Sequence, residues 1–381
     1  MMRIGQSLGF LLVCFLLSAC AQTSSRVNRN FITQEVFVKS TTAQDNLGVR
    51  KINRMKPLIY KDLIIQSNGL DGIGAYHRFT GAERWKLGIA NGAEASAALI
   101  KDQLFIGGGD GQFYAIHAET GKVLWTFPTR IETLSEPLLN EGVLYVLTGN
   151  NSLYALDASS GKQLWLYSRQ DTSSLSIRGG SKPAIRNGTL YVGFSDGAVV
   201  ALLAQSGALK WEKQLNRNKK FRDLDSNPLL EGDYLYILGY DDKVYCLRAA
   251  TGEDVWSAPY GGYGSILLSG DRLYFATSNN EFVALNKETG QKIWGAPVKD
   301  GIATSASLLK GLIIYGESQG SLRILDAGSG KQISFFNPGR GILSPPTVDE
   351  KTSMVYFISN EANLYGLRMG WSNKAEISYL R

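Results

Sequence analysis

The stretch Tyr154-Ala-Leu-Asp-Ala-Ser-Ser-Gly-Lys-Gln-Leu-Trp165 decides the fold, because versions of it recur along nearly the whole chain. Four further copies keep both the pattern and the tryptophan: Tyr114–Trp125, Val200–Trp211, Tyr245–Trp256 and Val283–Trp294. The glycine of the pattern returns at intervals of 38 to 46 residues: Gly81, Gly121, Gly161, Gly207, Gly252, Gly290 and Gly330. Self-similarity at this period indicates a repeat architecture.

One repeat, Pro137–Trp165, shows what each unit contains. Its short apolar runs are separated by Asn-Glu-Gly, Gly-Asn-Asn and Ser-Ser-Gly, which are turn sequences because they accept positive φ or fold back on their own backbone. Four short strands joined by tight turns form an antiparallel meander. Such units repeated radially are the blades of a β-propeller. With eight units from Pro57 onward, we predict an all-β chain, an eight-bladed β-propeller of four-stranded antiparallel blades.

The eighth unit lacks an obvious fourth strand, since its third strand ends near Arg368. Either Glu35–Lys39 from the N-terminus or Glu376–Leu380 from the C-terminus could supply it. We favour the N-terminal segment, because it would join the two chain ends and remove an exposed sheet edge.

A tryptophan stands at one fixed place in six of the units. A ring that buries about 150–250 Å² can fill the gap between neighbouring blades. Stacking of a ligand would need only one or two such rings, so we predict that all six serve inter-blade packing: Trp85, Trp125, Trp165, Trp211, Trp256 and Trp294.

The N-terminus carries a targeting signal. Arg3 precedes the apolar run Leu8–Leu17, which is too short to span a bilayer comfortably and fits a secretory signal. The tetrapeptide ending at Cys20 resembles a bacterial lipobox, which implies cleavage before Cys20 and its lipidation with palmitate; an ordinary signal peptide with an accidental cysteine is the alternative. Ala21 then favours the outer membrane, by analogy with lipoprotein sorting. We predict a lipoprotein signal peptide at 1–19, a lipidated tether at 20–34 and the propeller at 35–381.

Charge and cysteine content exclude several functions. The formal net charge is +6, and the charges are interspersed without a basic run among stacking aromatics, so we predict no nucleic-acid partner. The three cysteines form no metal spacing or disulfide framework, and Cys246 lies in a strand sequence as a small apolar residue. We predict no metal.

Candidate catalytic residues are few. His77 and His117 fall at the edges of repeat strands and are interpreted as scaffold residues. The glycine-rich run Gly107–Gly111 opens no helix, so it predicts a hairpin turn and not a phosphate loop. No Ser/His/Asp or Cys/His set is recognisable, and we predict no catalytic residue.

The repeat is broken at two neighbouring places. From the tryptophan to the next unit's first proline there are 12 residues after Trp125, but 18 after Trp165 and 17 after Trp211. We call residues 166–182 the first enlarged link and residues 212–227 the second enlarged link. Insertions into repeats collect in loops on one face, often the binding face.

Aligned on their prolines, Arg178 and Asp223 occupy equivalent places in the two enlarged links. We hypothesise that Arg178 pairs with Asp223 or Asp225 across the blade boundary and holds Leu175 and Ile177 outward. Two ordinary polar loops are the alternative.

The repeats resemble the PQQ-type propeller family, and the combination of lipobox, tether and eight units is similar to the BamB-like lipoproteins of the outer-membrane β-barrel assembly machinery, the Bam complex. The local likeness lies in Leu175-Ser-Ile-Arg178-Gly with Ser181 and Pro183, and in Asp223-Leu-Asp225 with Pro228. Ile177 replaces a frequent leucine of the family, and Gly180-Ser-Lys182 replaces a more acidic stretch.

This resemblance implies a non-enzymatic scaffold on the periplasmic face of the outer membrane that assists insertion of outer-membrane proteins. It implies partner contacts from Leu175, Ser176, Ile177 and Arg178, with Asp223 and Asp225 supporting the arginine. The implied partners are the periplasmic POTRA domains of the central barrel protein BamA, other assembly lipoproteins and, through the lipid, the membrane.

Two other function classes are considered. A PQQ-dependent quinoprotein dehydrogenase with Ca²⁺ resembles this chain in the repeat only, because such enzymes are much longer and carry inserted active-site loops; we therefore predict no cofactor. A generic periplasmic propeller that binds a ligand over its central channel is left open by the composition.

Overall fold

The short apolar segments between turn residues form β-strands, as the repeat pattern predicts. The computed structural model describes residues 30–42, 52–169, 180–216, 223–224, 226–262 and 264–372, and its regular elements are all strands. The described residues between 31 and 370 form one compact unit; Asn30, Trp371 and Ser372 are the described residues of a second. Strand β1 is Asn30–Ser40.

The remaining strands follow in fours along the chain, and each four forms one antiparallel blade. Blade 1 comprises β2 (Leu58–Tyr60), β3 (Leu63–Asn68), β4 (Gly72–His77) and β5 (Glu83–Gly88). Blade 2 comprises β6 (Ala98–Ile100), β7 (Gln103–Gly107), β8 (Gln112–His117) and β9 (Val123–Pro128). Blade 3 comprises β10 (Leu138–Asn140), β11 (Val143–Leu147), β12 (Ser152–Asp157) and β13 (Gln163–Ser168). Blade 4 comprises β14 (Ala184–Arg186), β15 (Thr189–Gly193), β16 (Ala198–Leu203) and β17 (Leu209–Gln214).

The second half of the chain repeats this order. Blade 5 comprises β18 (Leu229–Glu231), β19 (Tyr234–Leu238), β20 (Val244–Arg248) and β21 (Asp254–Ala258). Blade 6 comprises β22 (Leu267–Ser269), β23 (Arg272–Ala276), β24 (Glu281–Asn286) and β25 (Lys292–Pro297). Blade 7 comprises β26 (Ser307–Leu309), β27 (Leu312–Gly316), β28 (Leu322–Asp326) and β29 (Gln332–Phe336). Blade 8 comprises β30 (Thr347–Asp349), β31 (Met354–Ile358), β32 (Asn363–Ser372) and, as its fourth strand, β1. The prediction of an eight-bladed propeller is confirmed.

The core lies between blades. The second and third strands of a blade are almost wholly buried, as in β15 and β16, because both of their faces contact a neighbouring blade. The fourth strands alternate between exposed and half-buried side chains, as in β9. The aliphatic clusters accordingly combine residues of two adjacent blades, for example Leu190 of blade 4 with Leu153 of blade 3.

Each of the six tryptophans contacts the next blade in the same way. Its Nε1 donates a hydrogen bond of 3.0–3.2 Å to a backbone carbonyl beyond that blade's third strand: Ala118, Ala158, Ala204, Ala249, Lys287 and Ala327. Its ring lies on the turn glycine of the same blade, so closely that a Cβ on any of the six glycines would stand 2.5–2.9 Å from ring carbons.

Blade 8 is closed by the two chain ends. Strand β1 pairs with β32, and its Phe37 occupies the tryptophan's place, because a Cβ on Gly81 of blade 1 would stand 2.6 Å from the Phe37 ring. The strand begins at Asn30, so residues 30–34 belong to the blade and not to the tether that the sequence predicted there. The alternative closing segment, Glu376–Leu380, lies outside the described residues.

The same geometry explains why blade 7 lacks a tryptophan. Ser334 stands opposite Ile324, where in blade 3 Trp165 stands opposite Ala155. A ring at this place would need a turn glycine after the third strand of blade 8. Strand β32 instead continues to Ser372 without turning, because the fourth strand comes from the other chain end.

The glycine–tryptophan contact can be tested at Gly161, whose φ is +72° and whose added Cβ would stand 2.5 Å from the Trp125 ring. Gly142 is the matched control: its φ is +82°, but an added Cβ would meet nothing within 4 Å. We expect Gly142→Ala to lower the free energy of unfolding by about 1 kcal/mol through backbone strain alone. Gly161→Ala should lower it clearly more in denaturant titrations; equal effects would contradict the contact.

The packing role assigned to the tryptophans is tested at Trp165. Trp165→Ala removes the ring and its hydrogen bond to the Ala204 carbonyl, so we expect a loss of about 3–5 kcal/mol of stability. The neighbouring Leu164 has 51% of its surface exposed, so Leu164→Ala should change stability by less than about 0.5 kcal/mol. An unchanged thermal midpoint for Trp165→Ala would contradict the assignment.

Candidate functional site

The described ends of both enlarged links lie on one face of the propeller. Each connects the fourth strand of a blade to the first strand of the next, and in an antiparallel blade this end also carries the turn between the second and third strands. The described backbone agrees, since Leu224 of the second enlarged link donates to the Phe194 carbonyl in that turn of blade 4 (3.2 Å). We call this side of the propeller the connection face.

The predicted partner-binding residues Leu175, Ser176, Ile177 and Arg178 lie outside the described residues, as does Asp225. Asp223 is described and fully buried. The proposed pairing of Arg178 with Asp223 or Asp225 therefore stays a prediction.

The described part of the second enlarged link is anchored in the core. Leu224 is fully buried and belongs to the apolar cluster of Tyr191, Leu235 and Ile237 between blades 4 and 5. The buried Ser226 hydroxyl donates to the Leu238 carbonyl (3.0 Å) and accepts from the Leu238 amide (2.8 Å). The link is therefore fixed at its C-terminal end.

The first enlarged link is fixed at its start by Arg169. The guanidinium donates to Asp196 Oδ2 from Nε (2.9 Å) and a terminal nitrogen (2.6 Å), and to both carboxylate oxygens of Glu212 (2.8 and 2.9 Å). Its side chain is only 14% exposed, and it lies 5.4 Å from the centre of the Phe194 ring. Bidentate pairs of this kind are among the stronger ionic contacts and fix orientation. We call Arg169, Asp196 and Glu212 the arginine clamp.

The contact between Arg169 and Glu212 favours the charged forms of both groups. The hydrogen bonds from Arg169 hold the pKa of Glu212 below its ordinary value, and the same bonds to Glu212 are the largest cause that raises the pKa of Arg169. Because both shifts favour the charged forms, the ion pair between Arg169 and Glu212 persists through neutral pH.

One feature of the sequence distinguishes the arginine of the clamp from the equivalent residues of other units. Four residues after the tryptophan, other units carry Ile89, Thr129, Leu215, Tyr260 or Val298, and only this unit carries an arginine. Asp196 escaped notice because Asp71 and Asp110 stand at the same turn position, where an aspartate is sufficiently explained by the turn.

Other singled-out residues fall in the scaffold. His77 and His117 end strands β4 and β8, and Gly107–Gly111 spans the end of β7 and the turn to β8, where Asp110 accepts from the Gln112 amide (3.0 Å). Cys246 is buried and free, and burial raises the pKa of its thiol to about 11. Among the described residues no group of His, Cys, Asp and Glu side chains is placed to hold a metal ion.

The sequence pattern does not predict which residues line the hub of the propeller. A cavity of about 970 Å³ runs along the first strands of the blades and is lined by Leu58, Ile266 and Leu267 among others. On the connection-face side, each first strand is preceded by a polar residue or proline at an equivalent place, and several of these residues bond from blade to blade.

These bonds form a polar belt around the cavity. The Lys182 amide donates to Asn227 Oδ1 (2.7 Å), Asn227 Nδ2 donates to Ser265 Oγ (2.7 Å), and the Ser265 amide donates to Ser305 Oγ (2.7 Å). Lys182 Nζ donates to Glu136, which joins blade 4 to blade 3. The belt thus links blades 3 to 7 through one residue from each.

The chain shares its fold with several solved structures. BamB from Moraxella catarrhalis is 22% identical, with a TM-score of 0.73 over 88% of this chain and 100% of that chain. A europium-containing methanol dehydrogenase is 13% identical (TM-score 0.71; 88% and 93% covered), and a quinohemoprotein alcohol dehydrogenase from Comamonas testosteroni is 11% identical (0.72; 88% and 76%). At these identities the likeness establishes the fold alone. A comparison with curated proteins gave no match.

Fold and repeats together define a β-propeller of PQQ-type repeats. Within that class, the family described as outer membrane protein assembly factor BamB matches residues 71–296, which is more than half of the chain and includes both enlarged links. The chain belongs to this family. Among the described residues there is no helix long and apolar enough to cross a membrane.

The arginine clamp predicts a pH dependence. Because the pKa of Glu212 is lowered in the folded state, the stability it contributes is present above its unfolded pKa of about 4.3 and is lost as the pH falls through the lower folded value. The difference in unfolding free energy between the wild type and Glu212→Gln should therefore be largest at neutral pH and shrink on acidification. Glu288→Gln, at an exposed turn residue, is the control. A difference that stays constant down to acid pH would contradict the clamp.

Proposed function

We propose that the protein is a non-enzymatic scaffold lipoprotein of the outer-membrane β-barrel assembly machinery. It binds the central barrel protein BamA through the periplasmic POTRA domains and assists insertion of outer-membrane proteins, alongside the other assembly lipoproteins. The observation that carries this proposal is the family match over 71–296, which extends through the blades that bear both enlarged links.

Each enlarged link is fixed to the propeller at one end, and this supports a docking role. The first enlarged link leaves blade 3 at the arginine clamp, and the second returns to the core at Leu224. Fixing both roots lowers the conformational entropy that a partner must remove when it binds. We propose that Leu175 and Ile177 supply apolar anchors and that Arg178 sets orientation, with Ser176 beside them and Asp223 and Asp225 in support. Arginine is enriched among the residues that contribute most to binding at interfaces.

The residues of the hub argue against a quinoprotein site. Ca²⁺ takes six to eight oxygen ligands, with carboxylates prominent among them. In the described lining of the cavity one carboxylate is present, that of Glu136, and it accepts from Lys182. The lining therefore does not fit Ca²⁺ with its quinone cofactor, and no catalytic step is assigned to the protein.

Anchoring follows from the N-terminal signal. We propose that cleavage before Cys20 and lipidation of its thiol attach the chain to the periplasmic face of the outer membrane. A single acyl chain binds membranes only marginally, whereas several hold stably. Strand β1 begins at Asn30, so the tether between lipid and propeller is short.

The partner assignment is tested by replacing Leu175, Ile177 and Arg178 together with alanine. We expect the variant to lose co-purification with BamA from detergent-solubilised outer membranes, because both apolar anchors and the orienting charge are removed. Its thermal unfolding should be unchanged, since the clamp and Leu224 remain.

The control is a triple variant of the same composition class on another part of blades 3 and 4: Leu203, Leu209 and Lys162 to alanine, all exposed. It should keep its partner at the wild-type level. If the link variant also retains BamA at that level, the site assignment is wrong.

A further inference from the structure

The cavity at the hub has an unbalanced charge. Four charged side chains line it among the described residues: the cations Arg54, Lys56 and Lys182 and the carboxylate of Glu136. Its volume of about 970 Å³ lies at the upper end of the range of roughly 300–1,000 Å³ typical of small-molecule pockets. Three cations against one anion favour an anionic occupant over a neutral or cationic one.

The four groups are not equivalent. Glu136 accepts a hydrogen bond from Lys182 Nζ, so this lysine and the only carboxylate compensate each other. The backbone of Lys182 is fixed as well, because its amide donates to Asn227 in the polar belt. Any further anion in the cavity would therefore meet a cation other than Lys182.

Of the two remaining cations, Arg54 is exposed to solvent, whereas Lys56 is partly buried and is the better candidate. Its amide donates to Ser96 Oγ (3.4 Å), but its Nζ makes no hydrogen bond or ion pair with another described residue. Partial burial is the largest influence on it and lowers the pKa of the ammonium, while Glu136 acts in the opposite sense. An ammonium group that has lost water without gaining a partner is stabilised by an incoming anion.

Apolar side chains also line the cavity. Leu58, the first residue of β2, comes two residues after Lys56, and Ile266, Leu267 and Ile302 contribute from blade 6 and its connection to blade 7. A ligand that places its charge at Lys56 would thus lay its remaining atoms along aliphatic side chains, whose burial contributes about 25 cal/mol per Å².

We propose that the hub cavity binds a small amphipathic anion, with one carboxylate or phosphate headgroup at Lys56 and an aliphatic body along Leu58, Ile266 and Leu267. This binding uses residues other than the predicted docking residues: Lys56 and the three aliphatic side chains lie outside the enlarged links, although Lys182 and Asn227 at the ends of those links also line the cavity. It requires no catalysis, and it does not depend on the scaffold function.

The test uses the chain from residue 20 onward with Cys20→Ser, without the predicted leader 1–19 and without lipid, so that no detergent competes for the cavity. Octanoate, octyl phosphate and octyltrimethylammonium are titrated by calorimetry, with the isoleucine methyl groups followed by NMR. We expect at least one of the two anions to bind with a Kd of about 1 mM or tighter and to shift the methyl signals of Ile59, Ile266 and Ile302. Which anion binds better separates a carboxylate from a phosphate source. Equal binding of the cation, or no binding of either anion, would overturn the proposal.

Variants of Lys56 locate the headgroup. Lys56→Met keeps the length of the side chain but removes its charge, and should weaken anion binding about tenfold or more, whereas Lys56→Arg should retain most of it. Lys122→Met, at an exposed turn residue, should bind as the wild type does. Unweakened binding by a Lys56→Met variant with wild-type thermal stability would refute the assignment.

Discussion

The contact between a tryptophan and the turn glycine of the next blade is the constraint on which the propeller depends. A glycine is required there for two separate reasons: its backbone has positive φ, and the ring leaves no room for a Cβ. The indole nitrogen adds a hydrogen bond to the same turn, so each tryptophan fixes both the distance and the angle between two blades. Repetition of one local rule therefore sets the geometry of the whole ring.

Between blades 8 and 1 the contact with the turn glycine is kept, but the aromatic residue is a phenylalanine. Phe37 lies on Gly81 as the tryptophans lie on their glycines, but it belongs to a strand from the other chain end. A phenylalanine has no ring donor, so only the packing half of the contact is retained. Between blades 7 and 8 the contact is missing. Strand β32 makes no turn after the third-strand position, so there is no turn glycine for a residue at the place of Ser334 to pack on. Both exceptions have one cause, the strand contributed by the N-terminus.

The fold could be predicted because its determinants are local and repeated. The turn glycines, the separators and the tryptophans are each visible within one unit, and the period of the repeat gives the number of blades. The sequence assigns strand β1 to the right blade, but its predicted start at Glu35 is five residues later than the observed start at Asn30. Residues 30–34 do not alternate between apolar and polar side chains, which is the pattern that marks a strand. The candidate site was harder to predict. The arginine clamp joins residues 27 and 43 positions apart in sequence, and its aspartate occupies a place where turns alone explain an acidic residue.

Neighbouring blades are joined by different interactions in their outer parts and at the hub. In the outer part of the blades, aromatic packing joins neighbouring blades and tolerates little change at the turn, because each ring leaves no room for a Cβ on the turn glycine. At the hub, the first strands are only three residues long, and the blades are joined by side-chain hydrogen bonds that vary from one boundary to the next. Because packing nearer the rim already holds the ring together, residues at the hub are free to differ between blades. That freedom allows three cations to face one cavity, an arrangement that a hub packed from identical residues would exclude.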